Sequence, residues 1–529
     1  MSNETGGLSS GGNRGARVGR HVRRASVGLL AAMMVAVLGH LLSFLIAAGS
    51  SPVAAVGDAI VAQAPSAMRE FAISTFGTAD KPALVVGIIG AITVLAVAAG
   101  VAERVARPWG SLLLGVLALA GVVAAVSRPT ATWAWAIPSI VGGAAGIAVL
   151  RFGIRLTDAR SPVSKGGDPS GPSRRTFLAF VGGVAGLTVA IGGLGVGLAR
   201  KASDLAAERL RIALPPVAAR LQAHRPGPEV EAPVSDGAAF ITPNEDFYRI
   251  DTALQLPAIS VEEWSLRIHG MVDREIELSW QDLNDRMAME RIITLTCVSN
   301  EIGGSLAGNA TWTGFPIRDL LDEVGVRPGA DMLLSTSADG WTSGTPIAAL
   351  TDGRDAMLAV GMNGEPLPIE HGYPVRQVVP GLYGYVSATK WVVDWEITRF
   401  DQASAYWTDR GWGEKGPIKT ASRIDRPAPL AELTAGVNVI AGTAWAQHRG
   451  ISKVEVRVDQ GPWREAQTAA AYSVDTWRMW SWEWDATPGI HTVVVRATDN
   501  DGELQTERRQ GTVPDGATGW HSRTFRVVG

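Results

Sequence analysis

A single cysteine, Cys297, stands in a chain of 529 residues. It closes the apolar, β-branched run Ile292-Ile-Thr-Leu-Thr-Cys297 and precedes Val298-Ser-Asn-Glu-Ile-Gly-Gly304. A lone thiol can be a small buried hydrophobe, a nucleophile or a soft metal ligand. As a nucleophile it needs a base within hydrogen-bond reach; His371 is the candidate base, and no nucleophile motif accompanies it. One cysteine excludes an intramolecular disulfide, Cys-x-x-Cys zinc sites, cysteine-held iron–sulfur clusters and a Cys-x-x-Cys-His haem attachment.

The elements that position the thiol follow from the pattern around it. Ile292 to Leu295 reads as a short buried strand and Ser-Asn before Gly-Gly as the turn that ends it, which sets the sulfur at a strand terminus facing a loop. Ser265 to His269 reads as a strand, Ser279 to Met287 as a helix capped by Ser279, and Ile317 to Val324 as a second helix. Short strands with few helices predict an α+β domain over about 240 to 425. Beyond Pro427 and Pro429 the pattern is all-β. Val437 to Ala441, Lys453 to Val458 and His491 to Ala497 are strands separated by Asp459-Gln-Gly-Pro462 and Asn500-Asp-Gly502 turns. That length fits a β-sandwich of immunoglobulin type without its disulfide. Trp480, Trp482 and Trp484 share one strand face, for core or interface packing in preference to stacking on sugars.

The first 200 residues differ. Residues 1–25 are Gly/Ser-rich and carry Arg14, Arg17, Arg20, Arg23 and Arg24, a basic leader with too few apolar residues to fold. Apolar segments follow at about Val27–Ala48, Ala83–Val101, Trp109–Val126, Thr132–Leu150 and Phe177–Leu198, five spans in a membrane anchor over 26–200. With the N-terminus inside, cytoplasmic segments gain Arg104, Arg107, Arg151, Arg155, Arg160, Lys165, Arg174 and Arg175, against Arg69, Lys81 and Arg128 outside. The bias predicts a multi-pass protein of the cell membrane with everything beyond residue 200 on the extracytoplasmic side. Ser173-Arg-Arg-Thr-Phe-Leu178 resembles a twin-arginine export signal and reads equally as a positive flank. His40 is the one histidine within a span, so the helices offer no histidine pair to a haem. Ionisable residues are scarce there, unlike in a pump or transporter. Residues 201–238, with Pro215, Pro216, Pro226, Pro228 and Pro233, read as a semi-rigid spacer. A net charge of -3 gives no case for nucleic-acid binding.

From Phe240 onward the chain resembles the sulfite oxidase family of molybdopterin-dependent oxidoreductases, in its membrane-anchored bacterial form. The resemblance rests on ordered motifs: Thr242-Pro-Asn-Glu-Asp-Phe-Tyr-Arg-Ile-Asp251, Leu295-Thr-Cys-Val-Ser-Asn300, Gly308-Asn-Ala-Thr-Trp-Thr-Gly314, Met362-Asn-Gly-Glu-Pro-Leu-Pro-Ile-Glu-His-Gly-Tyr-Pro-Val-Arg376 and Val379-Pro-Gly-Leu-Tyr-Gly-Tyr-Val-Ser-Ala-Thr-Lys-Trp391. It implies a catalytic molybdopterin-binding domain over 239–427 and an immunoglobulin-like dimerisation domain over 428–529. It also implies a molybdenum–molybdopterin cofactor with Cys297 as the protein's metal ligand. Asn244, Phe247, Tyr248, Thr336, His371, Arg376, Thr389 and Lys390 would line the cofactor. Arg376 supplies a planar fork and Lys390 a point charge for its phosphate.

The implied activity is oxygen-atom transfer on a small substrate, with electrons passed to a separate cytochrome, flavoprotein or quinone-linked subunit, since the chain has no haem or flavin motif. Departures from the family pattern bear on the substrate. Glu301 and Ile302 stand where sulfite oxidases place arginines, Trp341 is matched to their active-site tyrosine, and Asp251 replaces a histidine, with Arg249 left as a pocket cation. A carboxylate in place of an arginine repels a dianion, which points to a neutral S-oxide or N-oxide. Sulfite oxidase proper and a non-catalytic exported cofactor-binding or scaffolding module are the competing readings.

Overall fold

The computed structural model describes residues 11–46, 48–63, 80–127, 131–158, 174–232, 238–253 and 256–529. The expectations for residues 1–10 and for the loop charges Arg69, Arg128, Arg160 and Lys165 lie outside them. The chain divides into two compact units, residues 1–204 with 252–257, and residues 205–251 with 258–529.

The first unit is helical: α1 (Gly11–Ile46), α2 (Pro52–Gln63), α3 (Asp80–Ala102), α4 (Trp109–Val126), α5 (Ile137–Asp158) and most of α6 (Arg174–Arg209). Among the described residues three stretches, Gly19–Ser43, Trp109–Val126 and Trp133–Asp158, are long and apolar enough to cross a membrane. The apolar parts of α3 and α6, Val86–Ala102 and Arg175–Ala190, are shorter. The basic leader, expected outside any element, is helical from Gly11, since arginine and alanine both extend a helix at little cost. Within this unit Arg24 forks onto Asp158, with Nη2 2.6 Å from Oδ2. Glu103 accepts from the Ser111 backbone N–H at 2.7 Å, near the start of α4.

The second unit holds four sheets. β1 (Ser265–Gly270), β2 (Ile276–Ser279), β3 (Met289–Thr296), β4 (Ala307–Pro316), β5 (Met332–Ser337), β6 (Thr342–Pro346), β7 (Met357–Met362), β8 (Glu365–Pro366), β9 (Arg376–Val378) and β10 (Val392–Thr398) form the first two. One has the order β2-β1-β10-β5-β6; the other is β3-β4-β7-β8 with β9 on β7. β1 and β10 run parallel. The helix α7 (Trp280–Asn284) starts at Ser279 in a capping box with Asp282 and is shorter than the expected Ser279–Met287. The expected helix Ile317–Val324 is present as α8 and ends at Gly325.

The C-terminal part is β-rich, with β11 (Ala421–Arg426), β12 (Glu432–Thr434), β13 (Gly436–Trp445), β14 (Ile451–Val458), β15 (Arg464–Glu465), β16 (Gln467–Thr468), β17 (Arg478–Ala486), β18 (Gly489–Asp499) and β19 (His521–Val528). Its sheets, β11-β13-β17-β16 and β12-β19-β18-β14-β15, share a core in which Trp480 and Trp484 pack against Val454, Val493 and Phe525. The tryptophan face is therefore core.

The proline-rich segment is not a free spacer. Its apolar residues find partners on the unit it precedes: Leu205 is buried with Met289 and Trp312, and Val217 bridges to Ala288. Tyr373 donates to Glu208 at 2.8 Å, and Arg209 donates to the Leu367 carbonyl at 2.8 Å.

Candidate functional site

Cys297 sits directly after β3, the five last residues of which are all buried. The loop beyond it is closed on itself. Cys297 N–H donates to the Leu306 carbonyl at 2.9 Å and Asn300 N–H to the Cys297 carbonyl at 3.0 Å. The Asn300 side chain accepts from Leu306 N–H at 2.9 Å. This is the strand-terminus placement read from the sequence. Burial pushes the thiol up, against the pull of hydrogen bonds from Ser299 and the charge of Lys390, both of which favour thiolate.

The segment 242–251 brings the aromatic wall. Phe247 stacks on Tyr248 at 5.2 Å and meets Trp312 and His371 edge-on at 5.8 and 5.6 Å. Gly308 makes this approach possible, because a Cβ there would lie 2.7 Å from the Phe247 ring. Burial and the neighbouring Cys297 raise the Tyr248 hydroxyl, with Arg376 opposing, so it stays protonated and can donate. The Asn244 side chain is fixed by Glu365 and accepts from Asn363 at 2.8 Å.

The basic wall comes from 371–390. His371 is 2% exposed; its Nε2 lies 3.2 Å from the Asn244 carbonyl, an acceptor, so Nε2 carries the proton. Burial, then the charges of Arg376 and Lys390, push it down to about 3, and it is neutral at pH 7. Arg376, 4% exposed, donates through Nη1 to the His371 carbonyl at 3.0 Å and lies 5.0 Å from the centre of the Trp312 ring. Its Nε is buried with no partner. Burial brings it down to about 10. Lys390 donates to the Glu370 carbonyl at 2.9 Å and to Asp251 at 3.2 Å; burial outweighs Asp251 and lowers it to about 8. Arg249 also bonds Asp251, at 2.8 Å, and is 42% exposed where the carboxylate is 4%. Thr389 is fully buried with its hydroxyl 2.7 Å from that of Ser343.

Two further expected residues lie on the β5–β6 hairpin, which bonds to Trp391 through Ala338 N–H. Ser343 pairs with Ser335, so that face of β5 looks toward Thr389. Thr336, one residue on, projects from the opposite face. Trp341 sits in the β5–β6 turn, where its N–H bonds Asp339, and it packs against the main core. Glu301 is exposed, and the Ile302 side chain lies against Gly519 of the sandwich. Trp312, Ser299 and Asn309 escaped the sequence reading of the site. The signal for Trp312 and Asn309 was their place in the Gly308–Gly314 motif, since short polar and aromatic residues in a buried strand must each find a partner.

The residues present fit an anionic, metal-bearing cofactor. Among the described residues no cluster of three His, Cys, Asp or Glu side chains could hold a metal; Cys297 is the soft ligand the site offers to a cofactor-borne metal. A buried guanidinium with an unpartnered Nε near a lysine paired with Asp251 is a receptor for a phosphate or pterin acceptor atom.

Comparison with known proteins agrees. The oxidoreductase molybdopterin-binding domain family matches residues 253–407. Sulfite oxidase of Gallus gallus is 26% identical over 326 residues, 50% of this chain and 68% of its own length. The mitochondrial sulfite oxidase of Mus musculus is 28% identical over 322 residues, 50% of this chain and 56% of that protein. The uncharacterized oxidoreductase YuiH of Bacillus subtilis is 29% identical over 186 residues, 34% of this chain and 90% of its own. The match thus spans 68% and 56% of the two sulfite oxidases. With a molybdopterin-binding domain spanning Cys297, the buried Arg376 and Lys390 within it, and these relatives, the chain is a molybdopterin oxidoreductase similar to the sulfite oxidases and takes a molybdenum–molybdopterin cofactor.

Proposed function

We propose that this oxidoreductase, anchored in the cell membrane by its helical unit, transfers an oxygen atom to or from a small neutral substrate, an S-oxide or N-oxide, on the extracytoplasmic side. The observation that carries the reading is the charge balance around Cys297. Three cations, Arg249, Arg376 and Lys390, meet one carboxylate, Asp251. Arg376 and Lys390 answer an anionic cofactor, and Asp251 answers Arg249. That leaves no surplus positive charge for an anionic substrate.

Bound at Cys297, the cofactor supplies two-electron chemistry and the exchangeable oxygen. The protein's part is placement and electrostatics. Cys297 would hold the metal as thiolate: burial raises the thiol, Ser299 and Lys390 only partly oppose that, and coordination itself removes the proton. Arg376 and Lys390 would bind acceptor atoms of the pterin and its phosphate, and Asn244, Phe247, Tyr248, His371 and Thr389 would line the same group. Neutral His371 keeps its proton on Nε2 and so holds the Asn244 carbonyl. Arg249, the exposed member, faces the substrate side.

The distribution of arginines about the apolar segments supports an extracytoplasmic catalytic unit. The two sheets of the C-terminal part support an immunoglobulin-like sandwich, through which a dimer would form. Because no haem or flavin motif occurs in the chain, a separate cytochrome, flavoprotein or quinone-linked subunit would exchange the electrons.

The test is turnover of dimethyl sulfoxide, trimethylamine N-oxide and sulfite by full-length protein from molybdenum-replete cells, with molybdenum and pterin measured on the same sample. About one molybdenum per chain with S-oxide or N-oxide turnover, abolished in Cys297→Ser, is the expected result. Turnover of sulfite alone would make it a sulfite oxidase proper, and loaded protein inert to all three a cofactor-binding scaffold.

A further inference from the structure

We propose that Gln447, in the C-terminal sandwich, is a positioning residue for Cys297, so that the sandwich is part of the support of the metal site; this rests on the cofactor reading above. β3, which delivers Cys297, is an edge strand of its sheet. Its outer backbone groups need partners from outside the sheet. The sandwich provides them.

Gln447 leaves the turn after β13 and is 1% exposed. Its Nε2 donates to the Thr294 carbonyl at 3.2 Å and to the Thr296 hydroxyl at 2.9 Å. Thr296 is the residue before the cysteine. Around the same point Thr294 N–H donates to the Asp475 carbonyl at 3.0 Å. Trp477 N–H donates to the Thr294 hydroxyl at 2.8 Å, which itself donates to Asn309 at 2.9 Å. Thr294 is therefore held from every side, whereas Gln447 is the side chain that reaches on to Thr296.

Packing does not account for a glutamine here. Its Oε1 is buried without a partner, a cost that a methionine of similar volume would avoid. The residue is explained if its amide fixes the last turn of backbone before the ligand, as outer-shell hydrogen bonds orient metal ligands elsewhere, where their loss typically costs about 10- to 100-fold in affinity or activity.

The experiment uses the full-length protein with Gln447→Met, which keeps the volume and removes both bonds. A second variant, Gln447→Glu, keeps the shape and, protonated in its buried site, one donor. Ser452→Ala, which breaks hydrogen bonds to Thr498 and Asp499 in the same domain, is the control. Three readouts are taken: amide hydrogen exchange of metal-free protein, the Mo(V) electron paramagnetic resonance spectrum of loaded protein, and kcat against KM. Gln447→Met should speed exchange at Thr296 to Asn300 by at least about tenfold while the sandwich strands stay protected. It should also alter the Mo(V) signal and lower kcat by about 10- to 100-fold with KM held. Gln447→Glu should fall between Gln447→Met and wild type, and Ser452→Ala should match wild type.

Wild-type exchange and an unchanged Mo(V) signal in Gln447→Met overturn the inference, as does exchange that rises equally throughout the sandwich. If Gln447→Met does not fold, Gln447→Glu decides on the same readouts. Wild-type protein without molybdenum would overturn the cofactor reading instead, and the exchange arm would still judge the positioning of the cysteine loop.

Discussion

Gly303→Ala tests how tightly the cysteine loop is held against the sandwich. Gly303 has φ +75, and a Cβ built on it lies 2.3 Å from His521 Nε2. His521 cannot swing away freely, because its Nδ1 accepts the Ile424 N–H at 2.9 Å. A left-handed backbone costs a non-glycine residue about 1–2 kcal/mol, and overpacking a filled site adds about 1–3 kcal/mol. The sum, about 2–5 kcal/mol, lowers the melting temperature by roughly 3–8 °C for a unit of this size. His521→Ala removes the obstacle, so the packing share is recovered in the double variant, with a coupling of about 1–3 kcal/mol, while the backbone share remains. The assay is thermal unfolding of wild type, both single variants and the double variant, scored as a double-mutant cycle. Additive effects, within about 0.5 kcal/mol, would refute the contact.

The same histidine sets a pH dependence. Burial first, then Arg523, Arg423 and Arg509, lower His521 from 6.5 to about 4. The unfolded chain therefore binds a proton between those values that the folded chain does not, and stability is lost as pH falls from 6.5 towards 4. At about 1.4 kcal/mol per pH unit the loss is at most about 3 kcal/mol; urea titrations at pH 7 and 4.5 should show it, and it should shrink in His521→Gln. Cys297→Ser should abolish molybdenum retention and turnover while leaving the circular dichroism spectrum of the metal-free protein intact. Arg376→Met should leave the melting temperature of cofactor-free protein unchanged or raised, since it removes a buried charge with an orphaned Nε. Pterin content should still fall by at least about tenfold, and equal loss of both properties would make Arg376 structural.

The sequence carried the placement of the candidate residues wherever they lie near one another in the chain. Cys297 at the end of a buried strand, Phe247 beside Tyr248, and His371 five residues from Arg376 were all legible because strand periodicity and local turn chemistry place them. Thr336 and Trp341 were harder to place, for different physical reasons. A one-residue step along a strand changes face, so Thr336 turns away from Thr389 although its neighbour Ser335 shares the face that looks toward it. Trp341 lies in a turn whose direction depends on tertiary packing. The support of β3 by Gln447, 151 residues from Thr296, left no local trace, because an edge strand declares only that its edge needs covering. The segment 205–232 misled through its prolines, which forbid helix but do not prevent Leu205, Val217 and Val230 from burying apolar area.

The proposed neutral substrate rests on a carboxylate the sequence marked only as a departure. Asp251 accepts from both Arg249 and Lys390. Asp251→Asn keeps the shape and removes the charge, leaving Arg249, 42% exposed, without its counter-ion. An exposed pair of this kind is worth about 0.2–1 kcal/mol after screening, so freeing Arg249 should improve the KM for sulfite by up to about fivefold relative to dimethyl sulfoxide. The second effect has the opposite sign and must be kept apart. Without Asp251, Lys390 drops further below about 8, and its protonated fraction in cofactor-free protein falls as pH rises through that value. Cofactor uptake by the variant should therefore fail at lower pH than in wild type, and the KM comparison belongs on fully loaded enzyme near pH 6.5. The ratio of the two KM values should move towards sulfite at low ionic strength and return as salt screens Arg249. A ratio unmoved by the substitution would mean that Arg249 does not face the substrate, and the charge argument for a neutral substrate would fall with it.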